Sequence, residues 1–110
     1  MDITFGDNKL LKCANDHKHA QKKLGALRAE KFEKRLKELR AATALEDVRN
    51  LPQARYHELT NRGRQLACNL DHPYRLIFQP AHDPVPCNTD GGLNWSQVTA
   101  VEILAIEDYH

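Results

Sequence analysis

At 110 residues the chain has room for one hydrophobic core and not for two. Its mean hydropathy is −0.66, and no apolar run approaches the ~20 residues of a membrane-spanning helix, which excludes a helical integral membrane protein. The net charge of +1 conceals a gradient: all 16 Lys and Arg lie at or before Arg75, against 10 Asp and Glu there, whereas Leu76 onward carries five acids and neither Lys nor Arg.

Such an asymmetry points to a polyanionic partner, with a solvated charged helix as the plainer alternative. The opening MDITFGDNKLLK has neither the basic start nor the apolar stretch of a secretion signal. Cys13, Cys68 and Cys87, odd in number and far apart, fit reduced thiols in a cytoplasmic protein better than a disulfide framework.

Residues 2–5 read as a short first strand. A helix then starts at a cap on Asp7 or Asn8, with Leu10, Leu11 and Ala14 at helical spacing. Asn15-Asp16 weakens its middle, and Gly25 marks the joint with a second helix over about 26–42. The apolar side of that helix is Leu24, Leu27, Phe32, Leu36, Leu39 and Ala42, and the rest is nearly all charged. Thr43-Ala44-Leu45-Glu46 has the form of a capping box opening a short helix that stops near Asn50, before Pro52.

Strands are expected at about 54–59, 65–70 and 74–79. Leu66, Cys68, Leu70, Tyr74, Leu76 and Phe78 alternate with Ala67, Asn69, Arg75 and Ile77 around a turn at Asp71-His72-Pro73, the pattern of an antiparallel hairpin. His57 and Arg75 then fall on its open face. Residues 80–94 hold three prolines and Gly91-Gly92, hence a surface loop. Residues 98–106, VTAVEILAI, are apolar on both phases and read as a central strand buried on both faces. The sum is one α+β domain over 1–110: helices at about 7–50 packed on one face of a small, mainly antiparallel sheet at about 54–110.

Cys13 and His17 stand at i, i+4, but His19 is off that face and a closed zinc site needs four ligands, so no metal or other cofactor is expected. His82 and Cys87 make a weaker set still, and Cys68 reads as a small core residue. Neither a Gly-rich phosphate loop nor a Gly-flanked nucleophilic serine is present. What remains is His57, Arg62, Arg64, Arg75 and the closing Asp108-Tyr109-His110. RNA cleavage needs a base for the ribose 2′-hydroxyl, an acid for the 5′ leaving oxygen, and cations for the phosphorane. Imidazole suits the first two near neutrality and guanidinium the third. The plainer reading of the last residues is a frayed terminus.

The order RYHEL, short basic loop, alternating strand, YRLIF and final EDYH resembles the HigB toxins of bacterial toxin–antitoxin pairs, within the RelE/ParE superfamily. The resemblance implies a small antiparallel sheet backed by helices. It also implies a cytoplasmic, ribosome-dependent mRNA endonuclease that cuts in the A site of the 30S subunit of the 70S ribosome by 2′-hydroxyl attack. The implied partner is a helix-turn-helix, HigA-like antitoxin, through which alone operator DNA is contacted. Carried across, the functional residues are His57, Arg75, Asp108, Tyr109 and His110. The loop LTNRGRQL is a residue shorter than usual, with Leu66 where an aromatic is common, so Arg62 and Arg64 both stand for its basic role. His57 and His110 would divide base and acid work, Asp108 would orient an imidazole, and Tyr109 would stack on a base. Lys31, Lys34 and Lys37 would attract ribosomal RNA. Two alternatives stand beside this: a non-catalytic, gyrase-poisoning ParE-like toxin, and an attenuated toxin that only binds its antitoxin.

Overall fold

Asp16 does more than weaken the first helix. In the computed structural model, which describes residues 1–108, its backbone N–H closes helix α1 (Asn8–Asn15) on Lys12 O at 3.0 Å. Its carboxylate then caps helix α2 (His17–Leu24) through His19 N at 3.1 Å. A short acid that bonds local amides is a good cap and a poor helix interior, so the single helix expected here is two. Cys13 and His17 accordingly sit on separate helices, not on one face. Gly25, at φ +86°, makes the joint to α3 (Ala26–Ala41), a conformation that favours glycine.

Along α3 the buried side chains are Ala29, Phe32, Arg35, Leu36 and Leu39. Leu27 is 57% exposed, because nine residues of helix place it about 180° from Leu36. The unexpected member is Arg35, 2% exposed. Its Nε donates to Asn69 O at 2.7 Å and its Nη1 to Glu38 Oε2 at 2.9 Å, while Tyr56 Oη donates to Glu38 Oε1 at 3.0 Å. The turn after α3 is a 3₁₀ segment (Leu45–Val48), and the expected capping box is not made by Thr43 and Glu46. Asp47 instead accepts from the amides of Thr43 and Ala44, and Glu46 pairs with Arg49.

Four further strands follow β1 (Asp2–Phe5): β2 (His57–Glu58), β3 (Leu66–Asn69), β4 (Tyr74–Pro80) and β5 (Ala100–Asp108). The sheet order is β1-β5-β4-β3-β2, with β1 parallel to β5 and every other pair antiparallel, so the architecture is α+β with a mixed sheet. Strand β2 is shorter than expected because Arg55 takes φ +49° and breaks the extended run. Strand β5 is interior but not central; β4 holds the middle. Its two-phase apolar pattern also has another cause. Phe78 pairs with Ile103 and Ile77 with Ala105, leaving Leu104 as the extra residue of a bulge that switches the phase. Val101 and Ile103 face the core before it, and Ile106 takes that side after it.

The core joins Leu10, Ala20, Phe32, Leu36 and Leu39 of the helices to Leu66, Cys68, Leu76, Phe78, Val101 and Ile103 of the sheet. Ala67 and Ile77, on the opposite phase, are buried too, so that second face is not open along its whole length. The 80–94 loop is tied down rather than free at the surface. Leu93 joins the core, Cys87 bridges to Leu93, and Arg64 Nη2 donates to Gly91 O at 2.6 Å. Trp95, just beyond, donates to Glu58 Oε2 at 3.2 Å. No helix among the described residues is long and apolar enough to cross a membrane.

Candidate active-site pocket

The β3–β4 hairpin pairs Asn69 with Arg75, Ala67 with Ile77, and Leu66 with Phe78, as the alternation predicts. Register partners share a face, so His57 opposite Ala67 lies on the same side as Asn69 and Arg75. At the turn end these side chains bound a pocket of about 170 Å³ lined by Arg55, His57, Asn69, Leu70, His72, Pro73, Tyr74 and Arg75. The expected meeting of His57 and Arg75 therefore occurs, and Arg55 and His72 join it.

The backbone at Arg55 bears directly on His57. A non-glycine residue at positive φ is uncommon, and here it brings Arg55 O to 2.7 Å from His57 Nδ1. A carbonyl only accepts, so Nδ1 carries the proton, and in the neutral ring the lone pair lies on Nε2. His57 is thus oriented by the chain two residues before it, and the nitrogen able to take a proton is the one not tied to backbone.

Across the sheet, Arg75 pairs in register with Glu107 and Tyr74 with Asp108. Glu107 is the acid on the face of His57 and Arg75; Asp108 belongs to the opposite phase, with Tyr74. The role expected of Asp108 therefore meets a register that puts its neighbour beside the arginine. Glu107 takes both nitrogens of Arg62, Nη1 to Oε1 at 2.8 Å and Nη2 to Oε2 at 2.7 Å, and lies 3.7 Å from Arg75 Nη2. The hydrogen bonds from Arg62, then the charges of Arg62 and Arg75, hold the Glu107 carboxyl below the usual carboxylate range against the opposing effect of burial.

Of the two loop arginines, Arg62 is the one turned to the β5 end, while Arg64 is spent on the 87–91 loop through Gly91 O and Cys87 Sγ. Lys31, Lys34 and Lys37 lie on α3 and do not line the pocket; Lys34 borders a shallow depression with 51–54. Tyr109 and His110 lie outside the described residues. Cys13 is buried, and His17 Nδ1 stands 2.5 Å from Glu33 Oε1. Among the described residues, no three His, Cys, Asp or Glu side chains are gathered as a metal set.

Arg55, His72 and Glu107 were missed by sequence reasoning. The pattern showed His72 only as part of a turn and Arg55 only as the residue two before His57, while the phase of Glu107 depends on the Leu104 bulge. Compared with family models, curated proteins and solved structures, the chain matches none.

Proposed function

We propose that this chain is the toxin of a type II toxin–antitoxin pair, a HigB-like, ribosome-dependent mRNA endonuclease that cuts in the A site and stops growth. The observation that carries the reading is the pocket in which His57, with Nε2 available as a base, stands beside the Arg75 guanidinium at the end of the sheet where β5 finishes. A base and a cation at one concave spot are what transesterification at an RNA phosphate requires. In this reading Tyr109 and His110 enter from the sequence resemblance alone. The cationic α3 positions Lys31, Lys34 and Lys37 supply salt-sensitive attraction to ribosomal RNA. The partners are a helix-turn-helix, HigA-like antitoxin and the translating ribosome, and the compartment is the cytoplasm.

Primer extension on messages from cells expressing the chain tests this. Discrete cuts in phase with codons are expected, falling about 10²–10⁴-fold in His57→Ala, the usual range for losing an acid–base residue. Growth arrest with intact mRNA and damaged DNA would instead establish the gyrase-poison class. One observation favours the attenuated alternative: Glu107 already engages Arg62 and approaches Arg75, so two cations that would serve a phosphate have a carboxylate partner. A wild-type chain that binds an antitoxin yet neither arrests growth nor cuts any message would select that reading.

A further inference from the structure

We propose that the pocket is one phosphodiester site served by two imidazoles, with His72 the second proton-transfer group beside His57. This rests on the nuclease reading above and gives His72 the proton-transfer part that the resemblance implies for His110. His57 and His72 line the same cavity with Arg55 and Arg75, and no carboxylate is among the described residues that line it. Of the two adjoining acids, Asp71 is held by Arg28, at 3.1 and 3.2 Å, and Glu107 by Arg62, with Arg75 a more distant partner of Glu107 at 3.7 Å. An entering phosphate meets a lining of two imidazoles and two guanidiniums, of which Arg75 also faces Glu107.

The turn that presents His72 is braced on both flanks. Tyr74 N donates to Asp71 O at 2.7 Å and Leu70 N to Tyr74 O at 3.0 Å. Arg28 from α3 holds the Asp71 carboxylate while its guanidinium carbon stacks 3.4 Å over the Tyr74 ring. His72 is exposed between these anchors, so its imidazole is delivered to the pocket mouth by a fixed backbone. At about 170 Å³ the cavity is smaller than the ~300–1,000 Å³ of ordinary ligand sites. It suits a phosphodiester and the ribose edge beside it, with the bases outside.

The division of labour follows from His57, whose Nδ1–H is held by Arg55 O so that Nε2 is the base, which leaves the acid's part to His72. His57 Nε2 takes the 2′-hydroxyl proton as O2′ attacks phosphorus. The O2′–P bond forms, the P–O5′ bond breaks, and protonated His72 gives its proton to the departing O5′. The products are a 2′,3′-cyclic phosphate and a 5′-hydroxyl, with no further reactant consumed. Arg55 and Arg75 stabilise the charge that builds on the phosphorane oxygens.

His72→Gln keeps the size and polarity of the side chain and removes its ability to carry a transferable proton at neutral pH. Single-turnover cleavage of ribosome-bound mRNA should slow about 10²–10⁴-fold. The pH–rate curve should also lose its alkaline limb, which reports the acid that must stay protonated. In wild-type protein, titration with inorganic phosphate should move the imidazole C2–H signals of His57 and His72 together, with one shared dissociation constant. Wild-type protein that cuts, beside His72→Gln cutting as fast with the same curve, overturns the role of His72 while leaving the nuclease. Phosphate moving only one ring, or neither, overturns the shared site. Wild-type protein that cuts no message overturns the nuclease reading and the proton transfer with it.

Discussion

Arg35 is the residue through which the helical layer grips the strand that carries the pocket, and replacing it by methionine tests that directly. The guanidinium makes three hydrogen bonds, to Asn69 O at 2.7 Å, Glu38 Oε2 at 2.9 Å and, at the long limit, Gln53 O at 3.5 Å; the two short ones are of a kind worth about 1.5–3 kcal/mol each. Removing one partner of a buried pair usually costs about 3–5 kcal/mol, because the other charge is left behind. The Glu38 side chain is 19% exposed and keeps the Tyr56 hydroxyl at 3.0 Å, which places the loss at the low end, about 3 kcal/mol. At ~4 °C per kcal/mol for a domain of this size, Tm should fall by roughly 12 °C. Urea unfolding followed by circular dichroism at pH 7 measures it. Arg35→Met/Glu38→Leu should lose less than Arg35→Met alone, since no unpaired carboxylate remains. A single variant within ~1 kcal/mol of wild type would show that this network does not hold α3 to β3.

Two further outcomes follow from the same geometry. Glu107 titrates below its ordinary value of 4.5 in the folded chain, so its pairing stabilises the fold at pH above that value and is lost as pH falls through the lowered one. Wild type should therefore unfold at higher temperature than Glu107→Gln at pH 7, with the gap closing in strong acid; a gap that persists there would mean the glutamine variant is damaged for another reason. Among the thiols, burial pushes Cys68 up to about 12 and raises Cys13, while Cys87 is exposed. Native protein at pH 8 should thus give one fast-reacting thiol, abolished by Cys87→Ser; rapid labelling of Cys68 would contradict its placement in the core.

What was legible in the sequence is what depends on local periodicity. The hairpin from Leu66 to Phe78 alternates cleanly because one of its faces packs on the helices, and the turn chemistry of Asp71 and Pro73 ends both strands. Gly25 marked a real joint because a positive φ is needed there. Arg35 was not legible, since a cation within a charged helix reads as solvated until its partners are known, and beside its helix neighbour Glu38 those partners are carbonyls of Asn69 and Gln53 brought in by the tertiary fold. The division at Asp16 is half visible: Asn15-Asp16 marks a weak spot in the helix, but only the cap bond to His19 N shows that a new helix starts there. Of the candidate site, His57 and Arg75 came from the pattern, whereas His72 joined them through the turn and Arg55 through its own left-handed backbone.

The β5 run shows why the remainder had to wait for three dimensions. Continued without a bulge, the ladder that pairs Gln79 with Glu102 and Phe78 with Ile103 would set Ile106 against Arg75 and Glu107 against Tyr74. The extra residue at Leu104 moves every later partner by one, and with it every side chain to the other face. An isoleucine beside Arg75 would leave that guanidinium with no acid on its strand neighbour. Glu107 in that place gives Arg75 and Arg62 a common carboxylate and fixes both cations near the pocket. The same shift sends Asp108 to the side of Tyr74, whose ring already lies under Arg28. One unpaired residue in the strand thus decides which acid of the closing Glu-Asp pair meets the cationic face, and a sequence that is apolar on both phases on either side of it gives no local sign of the choice.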